Sequence, residues 1–135
     1  MKHIIWDFNG TLLNDTQLSL DVDNNVFEKL GIPCITLDDY RNNMTMPVRD
    51  FYPAVGVDYS IHSYETIARL WLDEFNQKAV GVGLVSGALD AIRFFHGQGR
   101  SQSVLSASYE PSLRKQCEAL GLTPYMTDIS GLEDE

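Results

Sequence analysis

Apolar positions along the 135-residue chain fall into two patterns: short continuous runs, and stripes recurring every three or four residues. The stretch "HIIWDF", residues 3 to 8, is a run of the first kind, as expected of a strand buried in a parallel sheet. The "NGT" after it is a turn signal, because Asn and Gly accept backbone conformations that other residues resist. Leu18, Val22, Val26 and Leu30, with Phe27 beside them, predict an amphipathic helix from Asp15 to Leu30, stopped by Gly31. Residues 32 to 59 are less regular, and Pro47 and Pro53 break them into short helices. Tyr64, Ile67, Ala68, Trp71, Leu72 and Phe75 then form a second wide apolar face, with Ser63 placed to cap it.

After "VGVG" the character changes. Ala88, Ala91, Ile92 and Phe95 predict a short helix ending near Gly97 and Gly99, and "SVLSAS", residues 103 to 108, predicts a strand followed by a small-residue turn. Ser108 is placed to cap the next helix, with Pro111 in its first turn and Leu113, Cys117 and Leu120 along one face before Gly121. Residues 125 to 130, "YMTDIS", begin one more strand. The order is strand, long helical insertion, helix, strand, helix, strand, which predicts an α/β core with a helical subdomain inserted after the first strand. Three strands are few for a free-standing parallel sheet covered on both faces, and the final "GLEDE" supplies no further helix, so the chain reads as unfinished.

Charge and cysteine content narrow the partners. Ten Lys and Arg against nineteen Asp and Glu give a formal charge of -9, a poor match to a nucleic-acid backbone. Small anions stay open wherever backbone amides or a cation neutralise them locally. Cys34 and Cys117 form no Cys-x-x-Cys arrangement, so reduced cytoplasmic thiols are expected rather than a zinc site or a disulfide scaffold. The N-terminus has one Lys and neither a long apolar region nor a cleavage pattern, and no segment reaches membrane-spanning length. Neither a membrane nor a nucleic acid is expected as a partner.

The candidate chemistry centres on Asp7, a lone acid at the carboxyl end of the first strand, where open α/β sheets bind ligands. A carboxylate there can act as a covalent nucleophile, and an adjacent Mg²⁺ can neutralise a bound phosphate. An Asp before a turn is also an ordinary structural feature, so position alone leaves both roles open.

Residues 7 to 11, "DFNGT", followed by Leu12, resemble the first motif of the haloacid dehalogenase-like hydrolases, whose usual form is D-x-D-G-T-L. The resemblance implies a partial Rossmann-like α/β core, residues 1–14 and 80–135, and an inserted helical cap, residues 15–79. Such a cap is similar to that of the phosphoglycolate phosphatase-like and β-phosphoglucomutase-like subgroup. Asn14 and Asp15 would enter it, and "VGVG", with Gly81 and Gly83, would be either the returning hinge or an ordinary loop. By the same resemblance Asp7 is the nucleophile and a Mg²⁺ ligand, the backbone carbonyl of Asn9 is the second ligand, and Gly10 and Thr11 form the loop against the substrate. The stretch "SVLSAS" is similar to the second motif, in which Ser106 and the amide of Ala107 would bind a phosphoryl oxygen. Arg49 is the cap's candidate for an anionic substrate group, with Arg41 as the alternative, because a guanidinium presents a fork of donors.

Asn9 is the main departure. The family's usual Asp at this place protonates the leaving group and later activates water; Asn donates a hydrogen bond but shuttles no proton. The third motif, a Lys or Arg, and the fourth, an acidic pair, have no match after Ser106: Arg114 and Lys115 come too soon, and Asp134 and Glu135 lack a Gly-Asp turn before them. The resemblance implies Mg²⁺-dependent hydrolysis of a small phosphorylated metabolite through an aspartyl phosphate in the intact protein, with the activity of this chain by itself left open. The alternatives are a non-catalytic phosphate or sugar-phosphate binding module and a 2-haloacid dehalogenase-like hydrolase. A homodimer through the incomplete core is a further expectation.

Overall fold

The computed structural model describes residues 2–134; Met1 and Glu135, the outer ends of the expected core segments, lie outside the described residues. The chain divides into two units, residues 16–81 and residues 1–15 with 82–135.

In the second of these, β1 (Ile4–Trp6), β2 (Gln102–Tyr109) and β3 (Asp128–Leu132) form a parallel sheet in the order β1-β2-β3. Helix α5 (Ala88–Gly97) precedes β2, and α6 (Glu110–Ala119) carries the chain from β2 to β3. The register sets Trp6 beside Val104 and Val104 beside Ile129, so these side chains share a face. That face is closed by Ala88 and Ile92 of α5, Leu113 and Cys117 of α6, and Phe8, Leu12, Leu13 and Leu122. Gln102 is fully buried there yet satisfied, accepting from the Trp6 indole at 2.8 Å and donating to the Ile92 carbonyl at 3.0 Å.

The opposite face is open. Ile5 is 62% exposed and Leu105 58% exposed, because the residues of α5 and α6 that reach the core do so on the Val104 side. The apolar run at the N-terminus is therefore a strand with one covered face, not the fully buried one its composition predicts. It is also shorter than residues 3 to 8, since the Phe8 carbonyl already accepts from the amides of Thr11, Leu12 and Leu13 at 3.1, 2.9 and 2.9 Å.

Two further boundaries differ from expectation. β2 runs on to Tyr109, and α6 has no side-chain cap: the Ser108 hydroxyl, predicted to cap it, is bonded to Asn9 instead. β3 begins at Asp128 rather than near residue 125, because Thr123–Tyr125 is a 3₁₀ turn.

The helical unit holds α1 (Thr16–Leu30), α2 (Leu37–Asn43), α3 (Phe51–Ala54) and α4 (Tyr64–Lys78). Val22, Val26 and Phe27 of α1 meet Phe51 and Tyr52 of α3 and Ile67 and Phe75 of α4 in its core. Ser63 caps α4 as its sequence predicts, its hydroxyl accepting from the Thr66 amide at 3.2 Å. One polar pair is sealed inside: Asp23, 2% exposed, accepts from the Tyr52 hydroxyl at 3.0 Å. Burial pushes the Asp23 carboxyl up to about 7, with the Tyr52 bond opposing the shift. Among the described residues no helix is long and apolar enough to cross a membrane.

Candidate active site

Chain reversal after β1 creates the site. Gly10 adopts a left-handed conformation, φ 74°, which only a residue without a Cβ takes readily. Its amide donates to the Leu13 carbonyl at 2.9 Å and to Asp15 Oδ1 at 2.7 Å. The turn thus folds seven residues, Asp7 to Asp15 less its ends, onto a single carboxylate at its base.

Asp7 itself stands exposed at the carboxyl end of β1. Its Oδ1 accepts from the Phe8 amide at 2.8 Å, and its Oδ2 has only a 3.5 Å contact with the Thr11 hydroxyl. One oxygen is tethered and the other is nearly free, an arrangement that orients a carboxylate without consuming it.

Asn9 is held much more firmly. Its Nδ2 donates to Asp15 Oδ2 at 2.8 Å, and its Oδ1 accepts from the hydroxyls of Ser108 at 2.8 Å and Ser106 at 3.3 Å. Both ends of the amide are occupied. Asp15, 2% exposed, has its carboxyl raised above the ordinary range chiefly by burial; the bonds from Asn9 and Gly10 oppose the shift, and the charge of Asp7 adds to it.

Ser106, 8% exposed, also lies 3.1 Å from the Ser108 hydroxyl, so that its one proton is shared between that oxygen and Asn9, and it accepts from the Ser108 amide at 3.1 Å. Here the β2–β3 register slips: three residues between Leu105 and Tyr109 face the single Gly131 between Ser130 and Leu132. Such bulges re-aim side chains at strand ends. This one contains Ser106, Ala107 and Ser108, and turns both hydroxyls toward Asn9.

The fold therefore brings Asn9, Gly10 and Ser106 into one network with Asp15 and Ser108, and places Asp7 and Thr11 on the same turn. Arg49 belongs to the helical unit, where it is exposed, 3.4 Å from Glu65 and over the Tyr64 ring at 5.1 Å. Sequence reasoning missed Asp15 and Ser108 as members of the site. The signal for Asp15 was an acid directly after the turn and its two leucines, "TLLND"; Ser108 was masked by its equally good credentials as a helix cap.

The donor chemistry suits a hard cation. The freer Asp7 oxygen is a carboxylate donor, and the Asn9 carbonyl stays out of the turn, in which Phe8 and Leu13 supply the acceptors. Mg²⁺ commonly takes one or two carboxylates and fills its octahedron with water and substrate phosphate. Two protein oxygens fit that habit, and among the described residues no group of three or more His, Cys, Asp or Glu offers a closed metal cage.

A parallel sheet whose carboxyl rim carries an aspartate on a tight turn, faced by serines from the next strand, defines an α/β protein of the strand-end ligand-binding class. The model of the haloacid dehalogenase-like hydrolases matches residues 4–135, and the chain belongs to that family. Its fold is shared by a haloacid dehalogenase-like hydrolase from Streptococcus pneumoniae, with TM-score 0.79, 15% identity and coverage of 98% of this chain and 61% of the other. A predicted phosphoglycolate phosphatase from Haemophilus somnus is similar too, with TM-score 0.78, 12% identity and coverage of 97% and 62%. So is CbbY from Rhodobacter sphaeroides, solved with xylulose-(1,5)-bisphosphate, with TM-score 0.74, 20% identity and coverage of 100% and 65%. The chain spans about three fifths of the length of the first two of these structures. No curated protein matches the sequence.

Proposed function

We propose that this chain carries the nucleophile-bearing part of a phosphatase acting on a small phosphorylated metabolite. The observation that carries the reading is Asp7: an exposed carboxylate at a strand's carboxyl end, tethered through one oxygen by the Phe8 amide, inside the family's first motif. Its oxygen bonds to phosphorus as the bond from phosphorus to the leaving oxygen breaks, and the leaving group departs with the electron pair. Water then attacks the aspartyl phosphate, the bond between Asp7 and phosphorus breaks, and a proton passes from the water to solvent. Mg²⁺, held by the Asp7 carboxylate and the Asn9 carbonyl, would neutralise phosphate charge. Ser106 and the Ala107 amide are the proposed phosphoryl-oxygen donors, Gly10 and Thr11 shape the loop, and Arg49 is the helical unit's candidate for an anionic substrate group. The Arg49 pair with Glu65 is exposed, and exposed pairs of this kind are weak enough to exchange partners.

Asn9 restricts the substrates. General acid help is ordinarily worth about 10² to 10⁴ in rate, so leaving groups that depart without a proton, those of acyl and aryl phosphates, are favoured. The test is Mg²⁺-dependent phosphate release from acetyl phosphate and p-nitrophenyl phosphate by the parent chain and by Asp7→Asn. Release by the parent alone supports the reading, and equal release by both contradicts it.

A second reading, a phosphate-binding module without turnover, is favoured by the Asn9 side chain, whose two ends are both committed to other groups. Saturable phosphate binding with no Asp7-dependent release would select it.

A further inference from the structure

We propose that phosphorylated Asp7 is a long-lived state of this protein, so that the chain accepts a phosphoryl group from an acyl phosphate readily and gives it up to water only slowly. The inference rests on Asp7 being the nucleophile, and it concerns the second half of the reaction, in which water must lose a proton as it attacks phosphorus.

None of the groups bonded into the turn can take that proton. Asn9 is an amide and has no basic form in the working pH range. It cannot swing to hold the water either, because Asp15 fixes its nitrogen at 2.8 Å and Ser108 its oxygen at 2.8 Å. Asp15 is the neighbouring carboxylate, but it is 2% exposed, with Oδ1 filled by the Gly10 amide and Oδ2 by Asn9. Releasing either oxygen would break the bond that Gly10 or Asn9 donates to it and open the turn that presents Asp7. The hydroxyls of Ser106 and Ser108 are tied to Asn9 and to each other, and a serine hydroxyl is no base near neutrality. His3 lies before β1, away from its carboxyl end, with its two ring nitrogens on the hydroxyls of Ser101 and Ser103 at 2.7 and 2.8 Å.

The first half of the reaction has no such need when the donor is an acyl phosphate. The carboxylate that leaves is stable without a proton, so the Asp7 oxygen bonds to phosphorus and the acyl oxygen departs with its electron pair, one mixed anhydride being exchanged for another. Entry of the phosphoryl group is thus independent of the missing acid, whereas its exit by hydrolysis is not.

The experiment is a pulse and chase with the full chain. Protein is incubated with Mg²⁺ and radiolabelled acetyl phosphate, freed of donor by gel filtration, and followed for bound label and released phosphate. Decay is compared with that of the same labelled protein after denaturation, which reports the intrinsic lifetime of an aspartyl phosphate and does not depend on any variant folding. The expected result is Asp7-dependent label, absent from Asp7→Asn, decaying within about tenfold of the denatured sample, and an Asn9→Asp variant that loses it about 10² to 10⁴ times faster. Label lost from the native parent a hundredfold or more faster than from the denatured chain, with phosphate released each turnover, would overturn the long-lived state and leave the phosphatase reading intact. Neither label nor released phosphate from the parent would overturn both.

Discussion

Two buried aspartates illustrate how differently one side chain can be used. Asp15 anchors a turn through two strong acceptor bonds, whereas Asp23 sits in an apolar helical core with a single tyrosine partner. Its carboxyl rises from 3.8 to about 7, so in the folded chain it stays protonated while the unfolded chain ionises. Below the lower value both states carry the proton and this contribution to stability is fully present. As pH rises from about 4 toward 7 the unfolded state releases its proton first, and stability falls by up to about 1.4 kcal/mol per pH unit. Thermal unfolding across this range should show the decline in the parent and a much flatter profile in Asp23→Asn, which keeps the shape and accepts the Tyr52 bond; identical slopes would refute the assignment. Asp7, Asn9, Gly10, Thr11 and Ser106 were legible because they sit in two local motifs. The role of Ser108 was not, since its bond to Asn9 joins positions 99 residues apart and depends on a bulge that no local pattern announces.

Helices were read more accurately than strands, for a physical reason. A stripe such as Leu18, Val22, Val26 and Leu30 has many positions in which to declare its period, and α1 ends at Leu30 as that period predicts. A three-residue strand declares almost nothing, and its run of apolar side chains does not reveal that only one face is covered. Where β2, α6 and β3 meet, backbone contact replaces side-chain packing. A Cβ added at Gly131 would overlap the Ser108 carbonyl oxygen and lie 2.8 Å from Glu110 Cα, backbone atoms with no flexible tip to yield. Gly131→Ala is therefore expected to destabilise the chain by roughly 1–3 kcal/mol and, by displacing Ser108, to loosen Asn9. Calorimetric unfolding should reveal the loss; an unchanged transition would mean that β3 shifts freely, contrary to its close approach to β2.

At the scale of the molecule, the sequence order of strand, helical insertion and alternating helices and strands was sufficient for the α/β core with its inserted helical unit, and the family match spans residues 4–135. The extent of sheet coverage was not legible, since Ile5 and Leu105 look no different in sequence from buried strand residues. The proposed function, in contrast, reduces to one atom: the nearly free Asp7 oxygen, presented by a turn that Asp15 closes. Its most direct test is to expose the chain to acetyl phosphate and Mg²⁺, reduce any acyl phosphate with borohydride, and map the reduced residue by peptide mass spectrometry. The account predicts reduction at Asp7 alone, and none in the Asp7→Asn variant. Reduction at another acid, or at none, would contradict it.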